Sequence, residues 1–331
     1  MTEKSPYKEF AEKMMHPDSK FIPEILKCMI NEDQAKLLVS LPGTSAQMAV
    51  KLNRKAEEIE ADLKDMFRKG LAFKKVKGSE VLWRPPMHLG QFHDASIVWP
   101  EAPQRFLDLW RDYMGREWEE LAPAFTKFFP RPFMRVIPIE KKIENDKIKI
   151  LAPENINEII ESAERLAVTK CTCRLTMHKC DAPVEVCLQV NRGADYTIER
   201  GSGREISKAE AREIIKQCQE AGLVHTVMNT SHVGNFICNC CGCCCQSFTL
   251  LITHGVSLCD PSRYLPEVNA GACTGCGACE DRCWIDAIKL NGGDIPAIDA
   301  NKCIGCGQCS IACPEGAITM IEIRDPDFIP A

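Results

Sequence analysis

The feature that most constrains this chain is a cysteine-rich segment that spans residues 273–314. It reads CTGCGACEDRC, then nineteen other residues, then CIGCGQCSIACP. The second run repeats the first at an offset of thirty residues, and Gly275, Gly277, Ala287 and Ile288 recur along with the cysteines. Two C-x-x-C-x-x-C-x-x-x-C runs of this kind are a ligand set for two [4Fe-4S] clusters.

The segment from about 268 to 322 resembles a bacterial-type two-cluster ferredoxin, in which the fourth cysteine of each run ligates the other cluster. Three closely spaced thiolates cover one face of a cubane cluster, so the fourth ligand has to come from elsewhere. The resemblance assigns the first cluster to Cys273, Cys276, Cys279 and Cys313. It assigns the second cluster to Cys303, Cys306, Cys309 and Cys283.

One position departs from the ferredoxin pattern. Pro314 follows Cys313 as the pattern expects, but Trp284 stands where the first run should have its proline. The departure affects the rigidity of the loop beside the second cluster rather than ligation. Zinc is the alternative for eight cysteines, but zinc sites usually use two C-x-x-C pairs separated by a longer loop.

The charge of the chain is concentrated at this end. The sequence has 46 acidic and 41 basic residues and a net charge of -5. Residues 271–331 contain nine acids and four bases, so this segment carries the whole excess and residues 1–270 balance to zero. An acidic face attracts basic patches on redox partners and repels nucleic acid.

In an extracellular protein, 21 cysteines would suggest disulfides. The first residues, MTEKSPYKEFAEKM, lack the apolar core of a signal peptide, and no apolar run approaches the length of a membrane span. We therefore expect a cytoplasmic protein without a membrane span, from an anaerobic host because oxidants attack exposed clusters.

The order of helices and strands predicted for the first third of the sequence is that of a winged helix-turn-helix. It predicts short helices over 7–15 and 21–30. The module itself would have a first helix that ends near Leu41, a second that Thr44 or Ser45 can cap, a third from about Ala56 to Lys69, and a hairpin around Gly78. The third helix of such a module normally enters the major groove. Here its first turns carry four carboxylates, which are poor readers of DNA: Glu57, Glu58, Glu60 and Asp62. We therefore favour a docking module, although Lys74, Lys75 and Lys77 on the hairpin are compatible with nucleic acid.

Residues 99–166 are predicted to contain helices and two strands. Aromatic residues between Trp99 and Phe128 predict one or two amphipathic helices whose row of aromatic side chains belongs to a core or to an interface between domains. Two strands are expected to follow, around a turn at Asn145. A helix is expected from Pro153 to about Leu166. Another, which begins with a Ser207 capping box, should bury Cys218 as a small apolar residue.

Ten further cysteines form two groups in the middle of the chain. The first group is Cys171, Cys173, Cys180 and Cys187, and the second is Cys238, Cys240, Cys241, Cys243, Cys244 and Cys245. Neighbouring free thiols oxidise readily to disulfides, so we interpret the crowding of these cysteines as metal ligation. The candidates are one more [4Fe-4S] cluster, which we favour, two more, or a structural zinc, with free redox-active thiols as a further alternative.

Two geometric points bear on these ten cysteines. The first group has enough cysteines to close one site by itself. Adjacent cysteines such as Cys240 and Cys241 point to opposite sides of an extended chain, so the second group cannot present all six thiolates to one site. His178, His225 and His232 are alternative ligands, but we interpret them as structural because thiolates are abundant. Arg174 could raise the potential of a nearby anionic cluster, or pair with a surface carboxylate.

The whole layout resembles a group of anaerobe proteins described as 4Fe-4S ferredoxin-domain proteins. They share a winged-helix-like start, a C-x-C-R and C-N-C-C-x-C-C-C middle, and a two-cluster end. The resemblance implies electron transfer and supplies no substrate.

These patterns predict an α+β chain of four parts. Residues 1–95 form a winged-helix-like docking module, 96–150 an aromatic helical connector with strands, 151–265 a cysteine-rich α+β middle domain, and 266–331 a two-cluster ferredoxin fold.

The function expected is a low-potential, single-electron carrier or an electron-transfer subunit of a larger anaerobic oxidoreductase. No dinucleotide, phosphate-loop or catalytic motif is present, so we do not expect a self-contained enzyme. A redox-sensing DNA-binding regulator is the main alternative. A catalytic metal site in the middle domain, with an open coordination position on iron, is a third.

Overall fold

The computed structural model describes residues 5–126, 131–139, 154–290, 292 and 294–331. The chain divides into two compact units. Unit 1 contains residues 1–121, 175–177 and 197–203, and unit 2 contains residues 122–174, 178–196 and 204–331. A content of 44% helix and 18% strand agrees with the α+β class expected.

Unit 1 consists mainly of helices with one β-hairpin. Its elements are α1 (Pro6–Lys13), α2 (Phe21–Met29), α3 (Glu32–Ser40), α4 (Ser45–Leu52), α5 (Ala56–Arg68), β1 (Phe73–Lys77), β2 (Glu80–Arg84), α6 (Leu89–Ile97), α7 (Gln104–Tyr113) and a π-helical turn (Met114–Trp118). The following helix, α8 (Glu119–Phe125), crosses into unit 2. Helices, caps and hairpin occur in the order that the sequence predicts, and Thr44 caps α4 by accepting a hydrogen bond from the amide of Gln47.

The aromatic stripe is part of the core of unit 1, which confirms the core interpretation. Phe106, Trp110 and Tyr113 on α7 are fully buried. The ring of Trp110 lies 4.9 Å from that of Phe92 on α6, and Phe92 lies 5.1 Å from Phe10 on α1. Aromatic residues that bury this much surface anchor the helices of the unit to one another.

Unit 2 is built on a seven-stranded sheet with the order β6-β4-β5-β8-β7-β3-β9. Its strands are β3 (Met134–Val136), β4 (Leu166–Lys170), β5 (Glu185–Val190), β6 (Gly203–Glu205), β7 (Val224–Met228), β8 (Phe236–Cys240) and β9 (Cys259–Asp260). The helices between them are α9 (Ile156–Ser162), α10 (Thr172–Met177), α11 (Arg192–Arg200), α12 (Lys208–Glu220) and α13 (Gln246–His254). The central strands β4, β5, β8 and β7 pair antiparallel, and β9 joins β3 in parallel.

One helix is shorter than the sequence predicts. Asn155 caps α9, but the helix ends at Ser162, and the chain then enters strand β4 from Leu166. The first four residues of β4 are buried, and strand pairing on both sides of it satisfies their backbone groups. The prediction that this helix continues to about Leu166 is therefore wrong. The two strands expected around Asn145 fall largely outside the described residues; Met134–Val136 is the strand seen before that position.

The C-terminal part of unit 2 keeps the thirty-residue repeat in its backbone. Short helices α14 (Ala278–Asp281) and α15 (Gln308–Ala312) follow corresponding glycines. Gly275 and Gly305 both have φ +66, and Gly277 and Gly307 both have φ +80, a region that favours glycine. Two small antiparallel sheets complete this part, β10 (Tyr264–Val268) with β13 (Ile318–Glu322) and β11 (Ile288–Lys289) with β12 (Ala297–Ile298), before a final 3-10 turn at Pro326–Phe328.

A buried ion pair connects the beginning of α9 to the strand pair β10–β13. The Arg263 guanidinium donates to a Glu154 carboxylate oxygen at 2.8 Å, and neither side chain is exposed. Burial raises the pKa of Glu154 even though Arg263 counteracts that shift. Arg263 also donates to Glu322 and to the carbonyl of Arg324.

We expect Glu154→Ala to lower the free energy of unfolding by about 3 kcal/mol, because it leaves a buried guanidinium without its main partner. Urea unfolding followed by circular dichroism measures this loss. Glu161→Ala is the matched control, since Glu161 pairs with Lys208 and Arg212 at the surface. It should change stability little. Equal losses of unfolding free energy in the two variants would contradict the expectation that the buried ion pair contributes more to stability than the surface ion pairs.

Candidate metal centres

The eight C-terminal cysteines line two cavities. The first contains Cys273, Cys276, Cys279 and Cys313, and it encloses about 330 Å³ of space that includes open solvent. The second contains Cys283, Cys303, Cys306 and Cys309, and it encloses about 440 Å³ on the same basis. Each cavity thus combines three cysteines of one run with the last cysteine of the other. The structure brings together the two cross-paired sets that the sequence predicts, and their binding of iron stays a prediction.

The chemistry of both cavities suits an iron–sulfur cluster. The amide of Gly305 donates to the sulfur of Cys303 at 3.4 Å, and the amide of Ala317 donates to the sulfur of Cys313 at 3.2 Å. Amide hydrogen bonds of this kind orient thiolate ligands and stabilise their negative charge.

The two cavities differ in exposure and charge. Cys276 in the first cavity is exposed, and Glu315 is the one charged residue among those that line it. In the second cavity, burial raises the pKa of Cys306 to about 12. Arg282 lines this second cavity, and Arg324 and Asp299 act electrostatically on Cys303 in opposite directions. The first cavity therefore has an exposed cysteine and a carboxylate in its lining, whereas the lining of the second contains an arginine.

Trp284 connects the second cavity to the sheet. Its ring lies 4.9 Å from Phe248 on α13, and a Cβ atom at Gly242 would approach the indole to 2.6 Å. Trp284 and Cys306 pack against the hydrophobic cluster that includes Cys240 and Cys245. The residue that departs from the ferredoxin pattern thus packs the ferredoxin-like segment onto the middle of the chain.

Polar contacts reinforce this packing. Arg282 donates to the carbonyls of Gln219 and Glu220 at the end of α12, at 2.6 and 2.8 Å. Gln308 on α15 donates to the carbonyl of Leu223 at 2.7 Å. The last carbonyls of a helix have no partner within the helix, and a cation is favourable there.

The ten middle cysteines divide into two sets that the sequence groups do not match. Cys180 leaves its own group and joins Cys241, Cys243 and Cys244, and the four sulfurs all lie within 4.8 Å of one another. We call these four residues the four-thiol group. The left-handed residue His178, with φ +47, ends α10 and turns the chain toward Cys180.

The other six cysteines lie close enough together for each thiol to shift the pKa of two others, and these links close into a ring that we call the six-thiol ring. Its order is Cys171, Cys173, Cys245, Cys240, Cys238, Cys187 and back to Cys171. Hydrogen bonds from Cys173 and Cys187 hold the pKa of the Cys171 thiol well below its usual value. Cys240 belongs to the ring and Cys241 to the four-thiol group, as the alternation of side chains along an extended segment predicts.

Arg174 lies between the two sets. Its side chain is buried, and it donates to the carbonyl of Asn239 at 3.0 Å and to the sulfur of Cys241 at 3.7 Å. Burial opposes its charge, but Cys171, Cys241 and Cys187 together raise its pKa. The surface ion pair considered from the sequence is wrong, because Arg174 faces thiols in the interior.

Structural roles are visible for the remaining candidates. His225 on β7 lies 2.6 Å from the Asn239 side chain, and burial lowers the pKa of this histidine to about 4, which keeps it neutral. The backbone carbonyl of His232 accepts a hydrogen bond from Thr230 at 2.9 Å. Cys218 is fully buried on α12, and burial raises the pKa of its thiol to about 12, which confirms it as an apolar core residue.

Comparison with known proteins gives one match. Residues 295–318, which include Cys303, Cys306, Cys309 and Cys313, match the family model of a 4Fe-4S binding domain. No curated protein and no solved structure matches the chain. The chain therefore contains a 4Fe-4S binding domain near its C-terminus and a cysteine-rich cluster in its middle. In the described ranges, no helix is both long and apolar enough to cross a membrane.

Gly305→Ala should destabilise the protein more than Gly255→Ala. Both glycines have a left-handed φ, +66 and +65, so alanine costs about 1 kcal/mol at either position. An added Cβ meets nothing within 4 Å at Gly255, but at Gly305 it collides with the Tyr264 carbonyl and the Ser262 hydroxyl. We expect the collision to add about 1–3 kcal/mol to the loss of unfolding free energy. Urea unfolding of both variants tests this expectation, and equal stabilities would contradict it.

Proposed function

We propose that this chain is an iron–sulfur electron-transfer protein, a single-electron carrier or the electron-transfer subunit of a larger oxidoreductase. Its C-terminal part would hold two [4Fe-4S] clusters, and each cluster would take three cysteines from one run and one from the other. The observation that carries the proposal is the pair of cavities, each lined by one cross-paired set of four cysteines. The matched 4Fe-4S binding domain supports it independently. A bound cluster supplies reversible uptake of one electron, so the protein would pass electrons without transforming a molecule.

The arrangement of the cavities supports a path from the surface inward. Cys276 is exposed, so the first cluster would exchange electrons with a partner. Cys306 at the second cavity packs against the hydrophobic cluster that includes Cys240 and Cys245. The second cluster would therefore connect the first cluster to the middle cysteines, where we propose at least one further iron–sulfur centre.

Charge favours electron flow in that inward direction. Arg282 lines the second cavity and Arg324 acts on Cys303, whereas Glu315 lines the first cavity. Nearby cations stabilise the reduced, more negative state of a cluster, and a nearby carboxylate destabilises it. The second cluster would then have the higher potential. The acidic C-terminal segment would attract a redox partner with a basic surface.

The helices and hairpin of unit 1 would form a winged-helix-like module for docking to a larger redox enzyme. Its acidic helix α5 uses several carboxylates internally: Asp62 pairs with Arg54 at 2.8 Å, and Glu60 accepts from Ser45. On the hairpin, Lys74 pairs with Glu199. These contacts support docking over the alternative of a DNA-binding regulator, because α5 offers carboxylates rather than cations to a phosphate backbone and one hairpin lysine is already engaged.

Paired cysteine variants test the cross-pairing. Cys276→Ala with Cys313→Ala should remove one cluster and lower the iron content of anaerobically purified protein by about 4 atoms per chain. Cys276→Ala with Cys283→Ala should remove both clusters and lower it by about 8. Both double variants change two cysteines, so they are matched. Loss of about 4 atoms in the second variant, with about 8 in the first, would contradict the cross-pairing and favour clusters built from single runs.

A redox titration followed by electron paramagnetic resonance tests the order of potentials. Cys276→Ala should remove the signal that appears at the lower potential, and Cys306→Ala should remove the signal at the higher potential. The physical reason is the cationic environment of the second cavity. The reverse assignment would contradict the inward direction of electron flow while leaving both clusters in place.

A further inference from the structure

The ten middle cysteines form two sets with different sulfur spacing, and this difference predicts different metals. We propose that the six-thiol ring holds a polynuclear iron–sulfur cluster of at least four iron atoms and that the four-thiol group holds a single tetrahedral ion, zinc or iron. This inference rests on the proposed function, because it specifies the further iron–sulfur centre in the middle of the chain.

The four-thiol group has the spacing of a single-ion site. The sulfur of Cys180 lies 3.8 Å from that of Cys241 and 3.9 Å from that of Cys244, and Cys243 lies 3.8 Å from Cys244. Zinc–sulfur bonds of about 2.3 Å in a tetrahedron place the sulfurs about 3.8 Å apart. Three of the six sulfur–sulfur pairs therefore already lie at the edge length of a tetrathiolate ion site, and the other three lie within 4.8 Å. A cubane cluster binds each thiolate to a different iron, which requires wider spacing.

The six-thiol ring is too open for a single ion. Each thiol is near enough to influence its two neighbours in the ring, but among the residues that the structure describes no three sulfurs of the ring lie within 4.8 Å of one another. Six thiols in contact would oxidise to disulfides if they were left free. A polynuclear cluster uses the same donors across a wider space, and a cubane needs four of the six.

Arg174 supplies an independent indication of an anion at this place. Its Nε and Nη2 atoms are buried and have no hydrogen-bond partner. A buried donor without a partner costs roughly 1–3 kcal/mol, and more when it is charged. Thiols become thiolates when they bind metal and release their protons to solvent, so a loaded site beside Cys171, Cys187 and Cys241 would be anionic. The free donors of Arg174 would then gain partners.

The sequence and the fold explain why the sets separate. Cys240 ends β8, and Cys241 begins the turn that leads to α13. Cys238 and Cys240 join Cys187 of β5 and Cys171, which follows β4, whereas Cys241, Cys243 and Cys244 join Cys180, which follows α10. One continuous segment thus supplies thiols to both sites.

Two matched triple variants of the full chain, prepared without oxygen, test the assignment. Cys173→Ser, Cys187→Ser and Cys240→Ser together leave three ring thiols, one fewer than a cubane needs. Cys180→Ser, Cys243→Ser and Cys244→Ser together leave one thiol of the four-thiol group. Iron, zinc and acid-labile sulfide per chain are measured by mass spectrometry and chemical assay. X-ray absorption at the zinc or iron edge reports the metal–sulfur shell.

The ring variant should lose at least about 4 iron atoms together with their sulfide and keep the single ion. The four-thiol variant should lose one metal ion and no sulfide. A ring variant with unchanged iron and sulfide would overturn the proposal, as would a four-thiol variant that loses about 4 sulfides. In both variants the electron paramagnetic resonance signals of the two C-terminal clusters report that unit 2 has folded.

The outcomes separate this inference from the proposed function. Wild-type protein with about 8 iron atoms and no metal on the middle cysteines would contradict the inference and the proposed middle centre, and would leave the electron-transfer role of the C-terminal clusters standing. Protein without the two C-terminal clusters would contradict the proposed function.

Arg174→Gln adds a test that does not remove a thiol. Glutamine keeps much of the packing volume but removes the positive charge, so the potential of the ring cluster should fall while those of the C-terminal clusters stay unchanged. An unchanged ring potential would contradict the placement of an anionic cluster beside Arg174.

Discussion

The attachment of the C-terminal segment to the sheet of unit 2 is the constraint on which the proposed electron path depends. Arg282 and Gln308 donate to backbone carbonyls at and just beyond the end of α12, and Trp284 packs over Gly242 and Phe248. Directional polar contacts fix the orientation, and aromatic packing removes water from the contact. These contacts bring Cys306 to the hydrophobic cluster that contains the ring thiols Cys240 and Cys245, so the C-terminal segment is held against the cysteine-rich middle of the chain.

The positive charge of Arg174 offsets the repulsion expected among thiolates in the thiol-rich middle of the chain. Thiolates repel one another when they are buried together, and metal ions reduce this repulsion only in part because tetrathiolate sites keep a negative charge. A buried guanidinium between two such sites offsets charge on both and offers donors in several directions. The position of Arg174, beside Cys171, Cys187 and Cys241, makes it the electrostatic link between the two sets.

Local features of this protein could be predicted because short-range chemistry determines them. Thr44 and Ser207 accept hydrogen bonds from the backbone three residues ahead, so the beginnings of α4 and α12 were visible in the sequence. The glycines that recur in the thirty-residue repeat likewise have equal φ angles in both runs. Features that depend on distant partners could not be predicted. The end of α9 was predicted too late because strand pairing on both sides of β4 outweighs the local helical preference of the residues after Ser162.

The sequence by itself determined the donor chemistry: eight cysteines in two spaced runs, ten more in two groups, and an acidic C-terminal segment. Spacing along the chain is enough for this because each ferredoxin-like run is nearly continuous, so the ligands of one cluster face follow from local backbone geometry. Only the tertiary structure decided which middle thiols share a site. Cys180 meets Cys241, Cys243 and Cys244 because α10 and the turn after β8 are packed together by the sheet between them. Contacts between segments so far apart leave no periodic signal in a single sequence, since they depend on the packing of the whole unit.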